Sequence, residues 1–261
     1  MNSSSQSNVL LEAQNLHLEF PVRLYAHTGL RDSFVNALRN PWDFIMKSPE
    51  ILPVLRGVNL KLYKGDRVGL LGVNGAGKTS LCRILSGMVQ PQLGSVTTTG
   101  TVEAIFDVGT GIMPELTGRE NAHLLARLFY NSRSVPKEEV EEALNFSELG
   151  PFLDMPYKSY SRGMQARLVL SLVSTTPSQV LILDEVFDGA DVFFREKIAA
   201  RMMKKIEKSE AVIFVSHGPE QILQLCNRVI VLSMGQIVFD GPPQEGINHY
   251  LNNSSNSFGK H

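Results

Sequence analysis

The chain has 261 residues, 43% of them hydrophobic and 20% charged. That is a globular composition, enough for one large domain or two small ones, and it excludes a disordered, collagen-like or coiled-coil chain. With 25 Lys and Arg against 26 Asp and Glu the formal charge is −1, so no global basic field gathers nucleic acid, and no nucleic-acid partner is expected.

Cys82 and Cys226 stand far apart and outside any CxxC pairing, which argues against a disulfide framework or a zinc site and fits a reducing cytosol. No apolar run approaches the roughly 20 residues that a bilayer-crossing helix needs, so a membrane role is expected to be peripheral. Met1 to Asn8 lacks the basic and apolar regions of a signal peptide and reads as a short flexible tail, as does Asn252 to His261.

Between the tails, Val58, Leu60 and Leu62 alternate with Asn59, Lys61 and Tyr63 as a half-buried strand. The turn Lys64-Gly65-Asp66 then leads into a second strand, Arg67 to Leu71, so the early part reads as partly antiparallel. Around Gly94 to Phe106 another strand pair is predicted from the β-branched Thr97, Thr98 and Thr99 and the punctuating Gly94 and Gly100. From Pro114 the texture is helical. Thr117-Gly118-Arg119-Glu120 matches a capping box, and a helix through Leu124, Leu125, Leu128 and Phe129 should follow. A second helix begins near Ser134 and Pro136; its Glu138, Glu139, Glu141 and Glu142 read as a solvated face in preference to a metal cluster. Strand patterns resume at Val180, Val212, Val229 and Gln236, which makes Pro114 to about Thr176 an all-helical insert. The alternation as a whole predicts an α/β fold with a mostly parallel core sheet.

Gly72-Val73-Asn74-Gly75-Ala76-Gly77-Lys78-Thr79 satisfies the P-loop pattern directly after an apolar strand. Its glycines let backbone N–H groups curl around phosphate oxygens, the new helix points its positive end at them, Lys78 reaches the β/γ-phosphates, and Thr79 is placed to ligate Mg²⁺. Val180-Leu181-Ile182-Leu183-Asp184-Glu185 is an apolar strand ending in two carboxylates. In a parallel sheet it delivers Asp184 beside the P-loop, toward the Mg²⁺ shell, with Glu185 as the group that polarises the attacking water. Val212 to His217 repeats the design with an imidazole, which spacing alone leaves open between a packing residue and a catalytic one. Ser161, before a helix carrying Met164, Leu168 and Leu172, is either an N-cap alone or part of an anion site with Arg162 and Arg167 nearby.

These motifs, in this order over roughly Leu10 to Tyr250, resemble the ATP-binding cassette (ABC) ATPases. The resemblance implies a single P-loop NTPase cassette over 1–261: a catalytic core at 10–113 and 177–250 with an antiparallel β-subdomain, a helical subdomain at 114–176 and an amphipathic insertion at 22–53. It assigns the nucleotide to Gly72, Asn74, Gly75, Ala76, Gly77, Lys78, Thr79 and Ser80. Glu185, His217 and Lys78 take catalytic roles, His217 as the switch that senses the γ-phosphate, and Asp191 stands at the D-loop. Ser161-Arg162-Gly163-Met164 falls at the family's signature Ser-Gly-Gly-Gln, so Ser161 and Gly163 are expected to contact ATP held by a second copy of the chain. Arg162 and Met164 depart from that signature, and Asp107 stands near the place of the family's glutamine, where it joins Thr79 and Asp184 as a metal ligand.

Together with Pro114 to Asn121 and Asp184-Glu185-Val186, these departures look like the subfamily that exports bacterial surface polysaccharides such as O-antigen, capsule or teichoic acid chains. The likeness implies ATP and Mg²⁺ as cofactors, a homodimer, and a separate transmembrane permease, two plus two, at the cytoplasmic face of the membrane. Phe20 matches the aromatic that stacks on adenine, with Tyr25 a weaker match. The insertion, about Val22 to Pro53, carries Leu30, Phe34, Val35, Leu38, Trp42, Phe44, Ile45 and Met46 as an apolar face, suited either to a membrane-embedded partner or lipid interface or to its own domain. Rival readings are a non-transport ABC protein and a regulatory module that holds ATP with little hydrolysis.

Overall fold

The computed structural model describes residues 8–22, 50–106, 111–129, 135–175, 178–184, 192–215 and 218–257. The chain runs through β1 (Val9–Val22), β2 (Glu50–Tyr63), β3 (Arg67–Leu71), α1 (Lys78–Leu85), β4 (Leu93–Thr98) and β5 (Val102–Ile105). It continues with α2 (Gly118–Phe129), α3 (Lys137–Phe146), two short 3₁₀ turns, α4 (Arg162–Thr175), β6 (Val180–Asp184) and α5 (Val192–Lys208). It closes with β7 (Ala211–Val215), α6 (Pro219–Leu225), β8 (Arg228–Ser233), β9 (Gln236–Gly241) and α7 (Pro243–Ser257).

The strands form two sheets. One is antiparallel, in the order β2-β1-β4; the other has six strands in the order β5-β6-β7-β3-β8-β9, parallel except for the β8–β9 edge. The parallel strands are mostly apolar because both faces of their sheet are covered; Glu103 within β5, and Arg67, Arg228 and Asp184 at strand ends, are the charged exceptions. Leu181, Leu183, Val212, Phe214, Val229 and Val231 point into a core shared with helices α2 to α7. Their alternates Val180, Ile182, Ala211, Ile213, Ile230 and Leu232 point to the opposite core, built with α1 and the antiparallel sheet. Period-2 alternation thus feeds two cores from one strand set.

Several local expectations hold. Val58, Leu60 and Leu62 are buried while Asn59, Lys61 and Tyr63 are exposed. The capping box forms: the Glu120 N–H donates to Thr117 Oγ1 at 3.2 Å, and the Thr117 N–H donates to the Glu120 carboxylate at 2.8 Å. Of the α3 glutamates, Glu138, Glu141 and Glu142 are exposed, with Glu142 paired to Arg201 and Glu141 to Arg119, whereas Glu139 is half-buried and its Oε2 has no hydrogen-bond partner.

Others are corrected. The predicted strand pair near Gly94 to Phe106 does not pair with itself: β4 adds to β1, and β5 crosses to the other sheet beside β6. Likewise the antiparallel partner of β2 is β1, not β3. The helix expected through Leu124, Leu125, Leu128 and Phe129 does form, as α2; its buried stripe runs through Ala122, Leu125 and Ala126, where small alanines allow close packing on α4, and Leu128 is 59% exposed. Helix α7 continues to Ser257, over most of the stretch expected as a tail from Asn252. Strand β2 begins at Glu50, so the last residues expected in the insertion, 50–53, pair with β1. Residues 23–49, which include Tyr25, Phe34, Trp42 and Phe44, lie outside the described residues.

Candidate functional site

The P-loop joins the end of β3 to the start of α1 at the C-terminal edge of the parallel strands, where open α/β sheets bind ligands. Its shape is fixed from behind. The Ala76 carbonyl accepts the Gly235 N–H of the β8–β9 turn at 3.1 Å, and the Gly235 carbonyl accepts the Arg56 N–H of β2 at 2.9 Å. Gly77 has φ +104, and a Cβ there would stand 2.8 Å from the Val54 carbonyl oxygen, so only glycine fits between the loop and β2.

Gly77 is the N-cap of α1 and offers no side-chain acceptor, which leaves the first amides of the helix available to an anionic ligand. Val73, Asn74 and Gly75 are exposed at the crest of the loop, Ala76 is buried beneath it, and Gly72 and Ser80 flank it. The Lys78 ammonium lies along the loop and donates to the carbonyls of Gly72 at 2.7 Å and Val73 at 3.3 Å. It is therefore held inside the turn that would enclose a phosphate chain.

Thr79 donates its hydroxyl to the Asp184 carboxylate at 2.8 Å, so two hard oxygen groups 105 positions apart meet at the loop's base. Such a donor set suits Mg²⁺, which takes few protein oxygens and shares the rest of its shell with phosphate and water. Cys82 lies one turn further into α1. Burial pushes its thiol up, the Asp184 carboxylate adds to that and Lys78 opposes it, so it is no nucleophile.

The other predicted residues fall in separate places. Phe20 sits near the end of β1, 49% exposed, opposite Leu52 of β2. Ser161 and Gly163 are at the start of α4, where the Met164 N–H donates to Ser161 Oγ at 3.3 Å, so the N-cap is formed. Ser161 and Arg162 are exposed there, and the recorded bonds of Ser161 stay within its own helix start. Asp107, Glu185, Asp191 and His217 lie outside the described residues. A cleft of about 710 Å³ opens at the far end of α1, lined by Ser86, Gly87 and Gln179, and shares no residue with the P-loop.

Sequence reasoning missed two contacts, one behind the P-loop and one deeper in the core. The Gly235 anchor is invisible because its partners, Ala76 and Arg56, are remote in sequence. A buried ion pair between Lys205 and Glu103 was hidden in a lysine-rich helix and a strand.

Known proteins give four points of comparison. The profile of a family described as ABC transporter matches residues 55–188. The O-antigen export system ATP-binding protein RfbB of Klebsiella pneumoniae is 34% identical over 221 residues, covering 85% of this chain and 89% of that protein. The teichoic acids export ATP-binding protein TagH of Enterococcus faecalis is 33% identical over 222 residues, 85% of this chain but 49% of its own length. In fold, the chain resembles the ATP-binding cassette MJ0796, solved as a post-hydrolysis dimer with ADP and phosphate. The TM-score is 0.66 and the identity 19%, over 90% of this chain and 99% of that one.

Proposed function

The chain belongs to the ABC transporter family, and from that membership we propose that it is the ATP-hydrolysing subunit of an export system, powering a separate transmembrane permease that carries a surface polysaccharide or lipid-linked glycan. No helix among the described residues is long and apolar enough to cross a membrane, in keeping with a division of labour between this chain and a permease. The O-antigen and teichoic acid export roles printed for its relatives support the class of cargo.

In this reading the backbone of Gly75, Ala76 and Gly77 and the Lys78 ammonium grip the ATP phosphates, with Asn74 and Ser80 beside them. Thr79 and Asp184, joined by Asp107, hold Mg²⁺, which when bound neutralises charge developing on the transferred phosphoryl group. Glu185 orients the attacking water and His217 contacts the γ-phosphate. Phe20 stacks on the adenine. Ser161 and Gly163 of a second copy close the site, so one chain supplies half of each of two sites. Two such chains act with two permease subunits at the cytoplasmic face of the membrane.

The observation that carries the proposal is the Thr79–Asp184 hydrogen bond, which brings the P-loop and the end of the apolar strand β6 into one site. Phosphate release from MgATP by the purified chain, with Lys78→Ala as control, tests the enzymatic part. Deleting the gene and following surface glycan tests the transport part. No release from the wild-type chain, or unaltered glycan after deletion, sinks the corresponding half.

A further inference from the structure

Lys205 of α5 and Glu103 of β5 form an ion pair inside the core, their side chains 5% and 4% exposed. The Lys205 ammonium also donates to the backbone carbonyl of Val173, in the last turn of α4. Burial lowers the pKa of this lysine, and Glu103 opposes that shift. Two apolar side chains of equal volume would be as stable here or more so, because each buried charge loses its hydration. An ammonium does, however, match a helix C-terminus, where unpaired carbonyls carry negative partial charge. What this pair supplies beyond stability is a defined geometry among three elements.

Those elements lead to different parts of the site. β5 ends at Ile105, next to Asp184 at the end of the neighbouring strand β6, and α4 begins at the Ser161 cap. The end of α5 is tied to β3, the strand that feeds the P-loop. Arg67 donates through Nη2 to the carbonyls of Ile206 at 3.1 Å and Ser209 at 2.9 Å, and Ser209 Oγ donates to the Lys205 carbonyl at 2.9 Å. Lys205 therefore fastens the C-terminal turn of α4 to the frame that carries the P-loop. The helix has 14 residues and is about 20 Å long, with the fastening near one end and Ser161 at the other. A small tilt at the fixed end becomes a larger displacement at the serine.

We infer that Lys205 is a positioning residue for ATP hydrolysis: by clamping the end of α4 to β5 and α5, it sets where Ser161 meets the nucleotide held by a second copy of the chain. The inference rests on the dimeric ATPase reading given above.

The test compares the wild-type chain with the double variant Glu103→Leu plus Lys205→Met, which keeps the volume and removes both charges. Its thermal midpoint is expected at or above the wild-type value. The kcat for MgATP hydrolysis is expected to fall at least about tenfold through misplacement of Ser161. KM should change less than kcat, because the P-loop of each chain is untouched and only the contact from the second copy is displaced. A folded double variant with wild-type kcat overturns the inference, and so does one that loses activity through KM alone. If the apolar pair does not fold, Glu103→Gln plus Lys205→Gln removes both charges but keeps polar side chains, and at position 205 the side chain is one atom shorter than lysine and draws back from the Val173 carbonyl; the same split is read there. Wild-type protein that releases no phosphate overturns the proposed function itself, so the wild-type control tells the two failures apart.

Discussion

The Thr79 hydroxyl donates to the Asp184 carboxylate across 2.8 Å, linking the first turn of α1 to the end of β6. If both oxygens serve one Mg²⁺, Thr79→Ala and Asp184→Asn should each lower phosphate release about a hundredfold. Combined, they should cost less than the sum of their separate effects, as groups acting as a unit do. Strictly additive losses, or an unchanged Mg²⁺ requirement in either variant, would rule out the shared ion.

Lys78 is the one cation bonded to the loop carbonyls of Gly72 and Val73 among the described contacts. Lys78→Ala is expected to abolish ATP binding by calorimetry while leaving the circular-dichroism spectrum unchanged. Retained heat of binding would remove the loop from the nucleotide site.

Glu185 follows Asp184 directly and takes the water-polarising role by resemblance. Glu185→Gln should hold ATP without cleaving it, so light scattering at saturating MgATP should report a dimer. A monomer under those conditions contradicts a site shared between two copies.

Gly235 has φ +78, and a Cβ there would stand 2.5 Å from the Val54 carbonyl oxygen. Gly235→Ala should destabilise the chain by about 2 kcal/mol, read from urea unfolding. It should also weaken ATP binding, because the Ala76 carbonyl loses its support. A variant as stable as wild type would show that the β8–β9 turn is free to move.

The Glu120 carboxylate accepts the Thr117 N–H and hydroxyl, and these bonds hold its pKa below the ordinary glutamate value. A depressed folded-state pKa contributes stability that is complete above the unfolded value and lost as pH falls through the lower folded value. Glu120→Gln should therefore lower the thermal midpoint at neutral pH and differ little from wild type once the medium is acidic enough to protonate the native carboxyl. A gap that persists into that acid range would exclude the carboxylate's charge as its source.

Much of the site was legible because its chemistry is local. Gly72 to Thr79 carries loop, cation and hydroxyl in one stretch, and Val180 to Asp184 announces a buried parallel strand by composition alone. The pairing of strands was less so. Val102 to Ile105 lies only a few residues after β4 but joins β6, since its burial depends on which sheet it completes and not on its neighbours in sequence. Lys205 is one of several lysines on α5, and nothing local distinguishes the one that turns inward to Glu103, 102 positions away. Leu128 shows the opposite case: a leucine in a helical pattern whose stripe is filled by alanines, so that it faces out.

Cys82 and Cys226 are the chain's two cysteines, and both are buried. Burial pushes the Cys226 thiol up to about 12 and raises that of Cys82 as well, so neither offers thiolate to a reagent near neutral pH. The native sequence is therefore already a quiet background for maleimide chemistry. A single cysteine introduced on an exposed position outside the proposed site, such as Ser95 of β4, would carry a fluorophore or spin label alone, and the approach of two copies could be followed by distance without first stripping the chain of its own sulfur.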